Sequence, residues 1–139
     1  MSQRTGSILT FILIIGVFFA ITLVFKGNTM QLDFDDHTLT VSGSQEFCYS
    51  VPYSSIQEIA LIDTPAGTCI DGDETNKYIW GQWSSSELGE YQICANPQIN
   101  QCILITTSSN QLFVFNYQNA DTTSSVFDMF TQLLEHYDG

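Results

Sequence analysis

The thiols are the side chains with the widest chemical range in this 139-residue chain, and two of its four cysteines bracket the stretch "CANPQINQC", Cys94 and Cys102. A pair at that separation could ligate a metal, cycle as a redox couple or cross-link a hairpin. Seven intervening residues match neither a zinc knuckle nor a Cys-x-x-Cys redox motif, which disfavours the metal and catalytic roles. If two strands pair symmetrically about Gln98, Cys94 faces Cys102, Ile93 faces Ile103 and Tyr91 faces Ile105. The apolar pairs then share one face and the thiols the other. Opposed Cα atoms in such a ladder sit about 4.5 to 5.5 Å apart, within disulfide reach at a non-hydrogen-bonded position. The sequence leaves two readings open for Cys94 and Cys102, a disulfide staple and two free thiols. An oxidising compartment would allow Cys48 with Cys69 as a second bridge.

Other constellations are weaker. "DGDETN" places Asp71, Asp73 and Glu74 together, but an EF-hand counted from Asp71 needs Gly sixth and Glu twelfth, where the chain has Asn76 and Gln82. A solvated loop accounts for these acids. His37 and His136 lie at opposite ends of the domain, in no metal-ligand spacing. The chain contains no GxSxG, HExxH, P-loop or Rossmann glycine pattern, so no catalytic residue, metal or cofactor is expected. The aromatics of "YIWGQW", Tyr78, Trp80 and Trp83, are candidates for a partner surface, because Trp and Tyr dominate binding hot spots. They are equally good core fillers for a small barrel. Trp83 is the preferred surface residue, since Gly81 makes the local geometry less regular.

The elements that must position these residues begin with "ILTFILIIGVFFAITLVF", Ile8 to Phe25, 18 residues without a charge. That approaches the roughly 20 residues a helix needs to cross about 30 Å of hydrocarbon. It exceeds the apolar core of a cleaved signal peptide, and no small-x-small site follows it. The expected organisation is an N-terminal tail over 1–7, a transmembrane helix over 8–25, a linker over 26–29 and a folded domain over 30–139. Arg4 precedes the span and Lys26 follows it, giving a modest preference for a cytoplasmic N-terminus and an extracytoplasmic domain. The whole chain has 15 Asp and Glu against 3 Lys and Arg, a net charge of −12. Such a surface repels phosphate backbones, which excludes nucleic acid as a natural partner. Hydrophobic residues make up 44% of the chain, enough to order a core.

From Met30 the apolar residues alternate. "MQLDFDD" and "TLTV" read as strand, tight turn, strand, and "EFCYSV" continues with Phe47, Tyr49 and Val51 on one face. "IQEIALID" supplies another strand, and residues 63 to 77 read as the longest loop. "YIWGQWSSSELGEYQICAN" carries two strands around a turn, and "QCILITTSS" and "QLFVFNY" two more. Val126, Phe130, Leu133, Leu134 and Tyr137 recur at i+3 and i+4, which predicts an amphipathic helix over about 122–137. The fold class is mainly β, six or seven strands in a barrel or sandwich whose open end the closing helix buries.

The order "VPYSSIQEIALID", loop, "GQW", "GEYQICAN", two β-runs and a C-terminal helix resembles the bacterial pleckstrin-homology-like family over residues 30 to 137. Members of that family commonly join such a domain to N-terminal membrane helices. The resemblance implies a partly open barrel of two antiparallel sheets capped by the helix, and no catalytic residue. Pleckstrin-homology domains that bind inositol phospholipids use Lys and Arg between their first two strands. Here that loop is "DFDDHT", where Asp33, Asp35 and Asp36 oppose an anionic headgroup. The expectation is a membrane-anchored, non-catalytic module that binds a protein partner or serves a structural role. The alternative is a small-ligand carrier or enzyme using the barrel mouth, which requires a concave pocket with converging polar groups.

Overall fold

The computed structural model describes residues 23–26, 30–43, 46–75 and 78–137. Residues 8–22, most of the expected transmembrane helix, lie outside the described residues, as do 27–29 of the linker. The last residues of that apolar run fall in strand β1 (Leu23–Lys26), which pairs antiparallel with β2 (Met30–Phe34) and sets Leu23 opposite Phe34. Among the described residues no helix is long and apolar enough to cross a membrane.

Alternation builds the first sheet. Met30, Leu32 and Phe34 of β2 and Leu39 and Val41 of β3 (Thr38–Gly43) are buried, while the residues between them face outward. The turn between these strands is held by Asp35, whose Oδ1 accepts from the backbone N–H of His37 (2.9 Å) and of Thr38 (2.8 Å). Strand β4 (Glu46–Pro52) completes a four-stranded antiparallel meander in the order β1-β2-β3-β4.

The β3–β4 ladder contains a bulge: Val41 pairs with Tyr49 and Ser42 with Phe47, leaving Cys48 as the extra residue. Beyond that point the alternation is inverted. Phe47, expected on the inner face with Tyr49 and Val51, is instead 66% exposed, and Cys48 packs against the core.

The second sheet has six strands: β5 (Ile56–Asp63), β6 (Thr68–Glu74), β7 (Ile79–Ser85), β8 (Gly89–Ala95), β9 (Gln101–Thr107) and β10 (Leu112–Phe115). Their order is β5-β9-β10-β8-β7-β6, and β10 runs parallel to β8 while every other pairing is antiparallel. Three expectations are corrected here. The described residues form ten strands in two sheets, where six or seven strands were expected, and the sheets are not wholly antiparallel. The expected long loop over 63–77 is interrupted, because Asp63 belongs to β5 and "TCIDGDE" forms β6. That strand is at the sheet edge and every residue in it is exposed, so it carries no apolar face by which periodicity could reveal it. Its close pairing with β7 depends on glycine. Gly81 has φ +103°, and a Cβ there would collide with Asp71 O and Gly72 Cα.

Helix α1 (Ala120–Glu135) closes the chain. Asn119 caps it, its side chain accepting from Thr122 N–H (2.8 Å), and Thr123, Val126, Phe130 and Leu133 form its buried face. Phe130 meets Phe34 edge-on, with ring centroids 5.2 Å apart. The strands β8, β9 and β10 at the middle of the second sheet carry buried residues on both faces. Cys94, Ile103, Ile105 and Phe115 join the first sheet and the helix in one cluster, whereas Ile93, Ala95, Cys102, Val114, Trp83 and Ile79 form a second.

Candidate functional site

The parallel β8–β10 pair decides where the thiols go. β10 lies between β8 and β9, so Cys94 pairs with Phe115 and Cys102 with Ile62 of β5. "CANPQINQC" is a crossover, not a hairpin, and the expected Cys94–Cys102 register is overturned. The two thiols also belong to different cores, Cys94 to the inter-sheet cluster and Cys102 to the opposite one. A fully buried side chain fixes the crossover: Asn116 Oδ1 accepts from Asn96 N–H (2.8 Å) and its Nδ2 donates to Asn96 O (3.0 Å). Asn116 thus satisfies both backbone groups where β8 ends, and the same Nδ2 reaches Cys102 Sγ (3.6 Å).

The structure instead brings Cys94 to Cys48. Their sulfurs are 2.6 Å apart, across the space between the two sheets. Tyr78, just before β7, covers them, with its hydroxyl 3.0 Å from Cys48 Sγ and 3.6 Å from Cys94 Sγ. Gly43 at the end of β3 makes room for that ring, since a Cβ there would run into the Tyr78 hydroxyl and ring carbons. The bulge turns Cys48 inward, the β7–β8 pairing sets Trp80 against Cys94, and Tyr78 follows from the strand start beside them. Cys48 is half-buried and Cys94 fully buried. Burial, with the hydrogen bond from Cys48 added, pushes the Cys94 thiol far above the ordinary thiol range, so it stays protonated at neutral pH. Burial, followed by the hydrogen bond to Cys48, likewise pushes up the Tyr78 phenol.

The remaining candidates are scattered. Burial raises the Cys102 thiol to about 11 against the opposing hydrogen bonds of Thr64 and Asn116. Cys69 is exposed on β6 opposite Trp83, so the expected Cys48–Cys69 pairing finds Cys48 engaged elsewhere. The aromatic surface is also corrected. Trp83, the preferred surface residue, is 4% exposed in the second core, its indole N–H donating to Trp80 O (3.0 Å). Tyr78 is committed to the thiols, and Trp80 is half-buried. Exposed large apolar residues are Phe47 and, at 50%, Ile70 on β6. Phe47 is turned outward by the bulge, which the alternation of "EFCYSV" does not show. Ile70 was hidden by its acidic surroundings.

His37 Nδ1 lies 3.0 Å from the Tyr137 hydroxyl, and His136 caps the helix C-terminus. Among the described residues no group of three His, Cys, Asp or Glu could hold a metal ion. Asp71, Asp73 and Glu74 line β6 in the open. Surface hollows of about 450 Å³ lie between residues 62–66 and 85–88 and beside Gln92 and Phe113, and neither is lined by Cys48, Cys94 or Tyr78. Comparison of the chain with family models, curated proteins and solved structures returns no match.

Proposed function

We propose that this chain is a membrane-anchored, non-catalytic interaction module whose edge strand β6 receives an extended, basic segment of a protein partner. The observation that carries this reading is β6 itself, an edge strand with all seven residues exposed, Ile70 half-exposed, and Asp71, Asp73 and Glu74 along it. A sheet edge offers main-chain hydrogen bonds to an added strand. Its carboxylates repel a second copy of the same strand and favour one bearing Lys or Arg. The anchor rests on the apolar run from residue 8 up to strand β1, which takes residues 23–25 into the first sheet, and the extracytoplasmic placement rests on Arg4 and Lys26. The pleckstrin-homology-like resemblance enters as two sheets with a closing helix, and the parallel β8–β10 pair departs from it. Against the carrier reading, the inter-sheet space is filled by Phe34, Phe115 and Phe130, each with no exposed surface.

A photo-crosslinking side chain placed at Ile70 in the full chain, in the membranes of the producing cell, tests this reading. The expected result is a discrete adduct that fades with added salt and with D71K/D73K, and is absent from the same probe at exposed Ser108. Equal labelling from both positions, or adducts indifferent to charge reversal, would overturn it.

A further inference from the structure

We propose that Cys48 and Cys94 are a disulfide-forming pair that clasps the first sheet to the second. Three independent features of the fold converge on these sulfurs. The bulge in β4 inverts the alternation at one residue and thereby delivers Cys48, not Phe47, to the core side. Cys94 is the inward residue of β8 facing that point, and the sulfurs approach to 2.6 Å. Two unbonded sulfurs do not ordinarily come so close, and a covalent bond of about 2.05 Å needs a further shift of only about half an ångström. Tyr78 then closes over the pair with its hydroxyl within reach of both.

The oxidant is an organic disulfide, either a small one such as oxidised glutathione or a protein disulfide carrier. Cys48, the half-buried member, gives up its proton to solvent and attacks one sulfur of the oxidant. That disulfide breaks, one thiolate leaves and takes up a proton, and Cys48 is left in a mixed disulfide. Cys94, with the Tyr78 hydroxyl stabilising its developing thiolate, then attacks Cys48 Sγ; the mixed disulfide breaks, and the oxidant's leaving thiolate takes up the proton that Cys94 gives up, departing as the second thiol. Two protein thiols lose two electrons and two protons, and the oxidant becomes two thiols. The bond closes a loop between positions 46 apart. In the chain-entropy account a loop of that size lowers the unfolding equilibrium constant by roughly a thousandfold.

The test uses the full chain in detergent micelles, equilibrated with oxidised and reduced glutathione mixtures, quenched in acid, alkylated in urea, digested with pepsin and mapped by mass spectrometry. The expected result is a Cys48–Cys94 linked peptide with Cys102 alkylated, and a urea midpoint that falls on reduction in the wild type but not in Cys48→Ser. Tyr78→Phe should slow closure from the mixed disulfide without abolishing it. Recovery of Cys48 and Cys94 both alkylated from the oxidising mixture, or linkage of Cys94 to Cys102, would overturn the proposal. So would a wild-type midpoint unmoved by reduction, because a clasp between sheets must stabilise them. The measurement on the unmutated chain stands whether or not the Cys48→Ser variant folds.

Discussion

Asn116 is the residue on which the unexpected strand order depends, and its removal gives a worked prediction. Its side chain is fully buried and satisfies both Asn96 N–H and Asn96 O, at 2.8 and 3.0 Å. Asn116→Ala removes two hydrogen bonds; Asn96 O keeps the N–H of Ile99 (3.2 Å), whereas Asn96 N–H loses its Asn116 partner, at about 1–3 kcal/mol when buried. With about 0.5–1.5 kcal/mol for the lost bond to the carbonyl, the expected loss is about 1.5–4.5 kcal/mol, a large share of the roughly 5–15 kcal/mol that stabilises a domain. Urea unfolding of the full chain in micelles, followed by tryptophan fluorescence from Trp83 in the second core, reads the change as a lower midpoint at constant slope. Asn116→Asp refines the test. A carboxylate there can accept from Asn96 N–H but cannot donate to Asn96 O, whereas the protonated acid can do both. Burial raises its folded-state pKa above the unfolded value of about 3.9, so its stabilising form is present below that value and is lost as pH rises through the folded pKa. Measured against the wild type at each pH, Asn116→Asp should cost less at acid than at neutral pH. A cost below about 1 kcal/mol for Asn116→Ala, or a pH-independent cost for Asn116→Asp, would refute the assigned role.

Further expectations follow from the same contacts. Phe130→Ala removes the fully buried edge-on partner of Phe34 and should cost about 3–5 kcal/mol in the same assay, separating the helix from the sheets. Gly43→Ala should destabilise by about 1–3 kcal/mol, and by less on a Tyr78→Ala background where the obstructing ring is gone; equal costs would mean the two do not meet. Burial holds the Cys102 thiol neutral up to about 11, so its contribution is complete below the unfolded thiol range and is lost as pH rises towards that value. Alkaline titration should therefore destabilise the wild type more than Cys102→Ala above pH 9. Asn119→Ala should cost about 1 kcal/mol through loss of the helix cap, visible by circular dichroism on heating.

The parts of the fold legible in the sequence were those where one periodicity governs one element. Met30, Leu32 and Phe34, then Leu39 and Val41, are buried as their alternation predicts, and Val126, Phe130 and Leu133 form the buried stripe of the helix. The turn between β7 and β8 and the β9–β10 hairpin also follow local turn chemistry. What could not be read is non-local. A parallel strand inserted between β8 and β9 leaves no mark on "CANPQINQC" itself, and the symmetry about Gln98 was a local inference about a global pairing. The bulge at Cys48 changes the face of two residues without changing their types, which hid both the exposed Phe47 and the Cys48–Cys94 approach. Strand β6 lacked an apolar face because it has no neighbour to cover one. Trp83 was misplaced because Gly81 marks a close approach to Gly72 and not an opening of the surface.

The central functional claim is that β6 accepts a basic extended strand, and its most direct measurement is fluorescence-anisotropy titration of the full chain with a labelled peptide of alternating Lys and Val. The account predicts saturable binding that weakens steeply with salt and is abolished by D71K/D73K or by replacing Ile70 with Pro, with no binding of the matching Glu and Val peptide. Equal binding of the two peptides, or Lys-peptide binding unaffected by those substitutions, would contradict it.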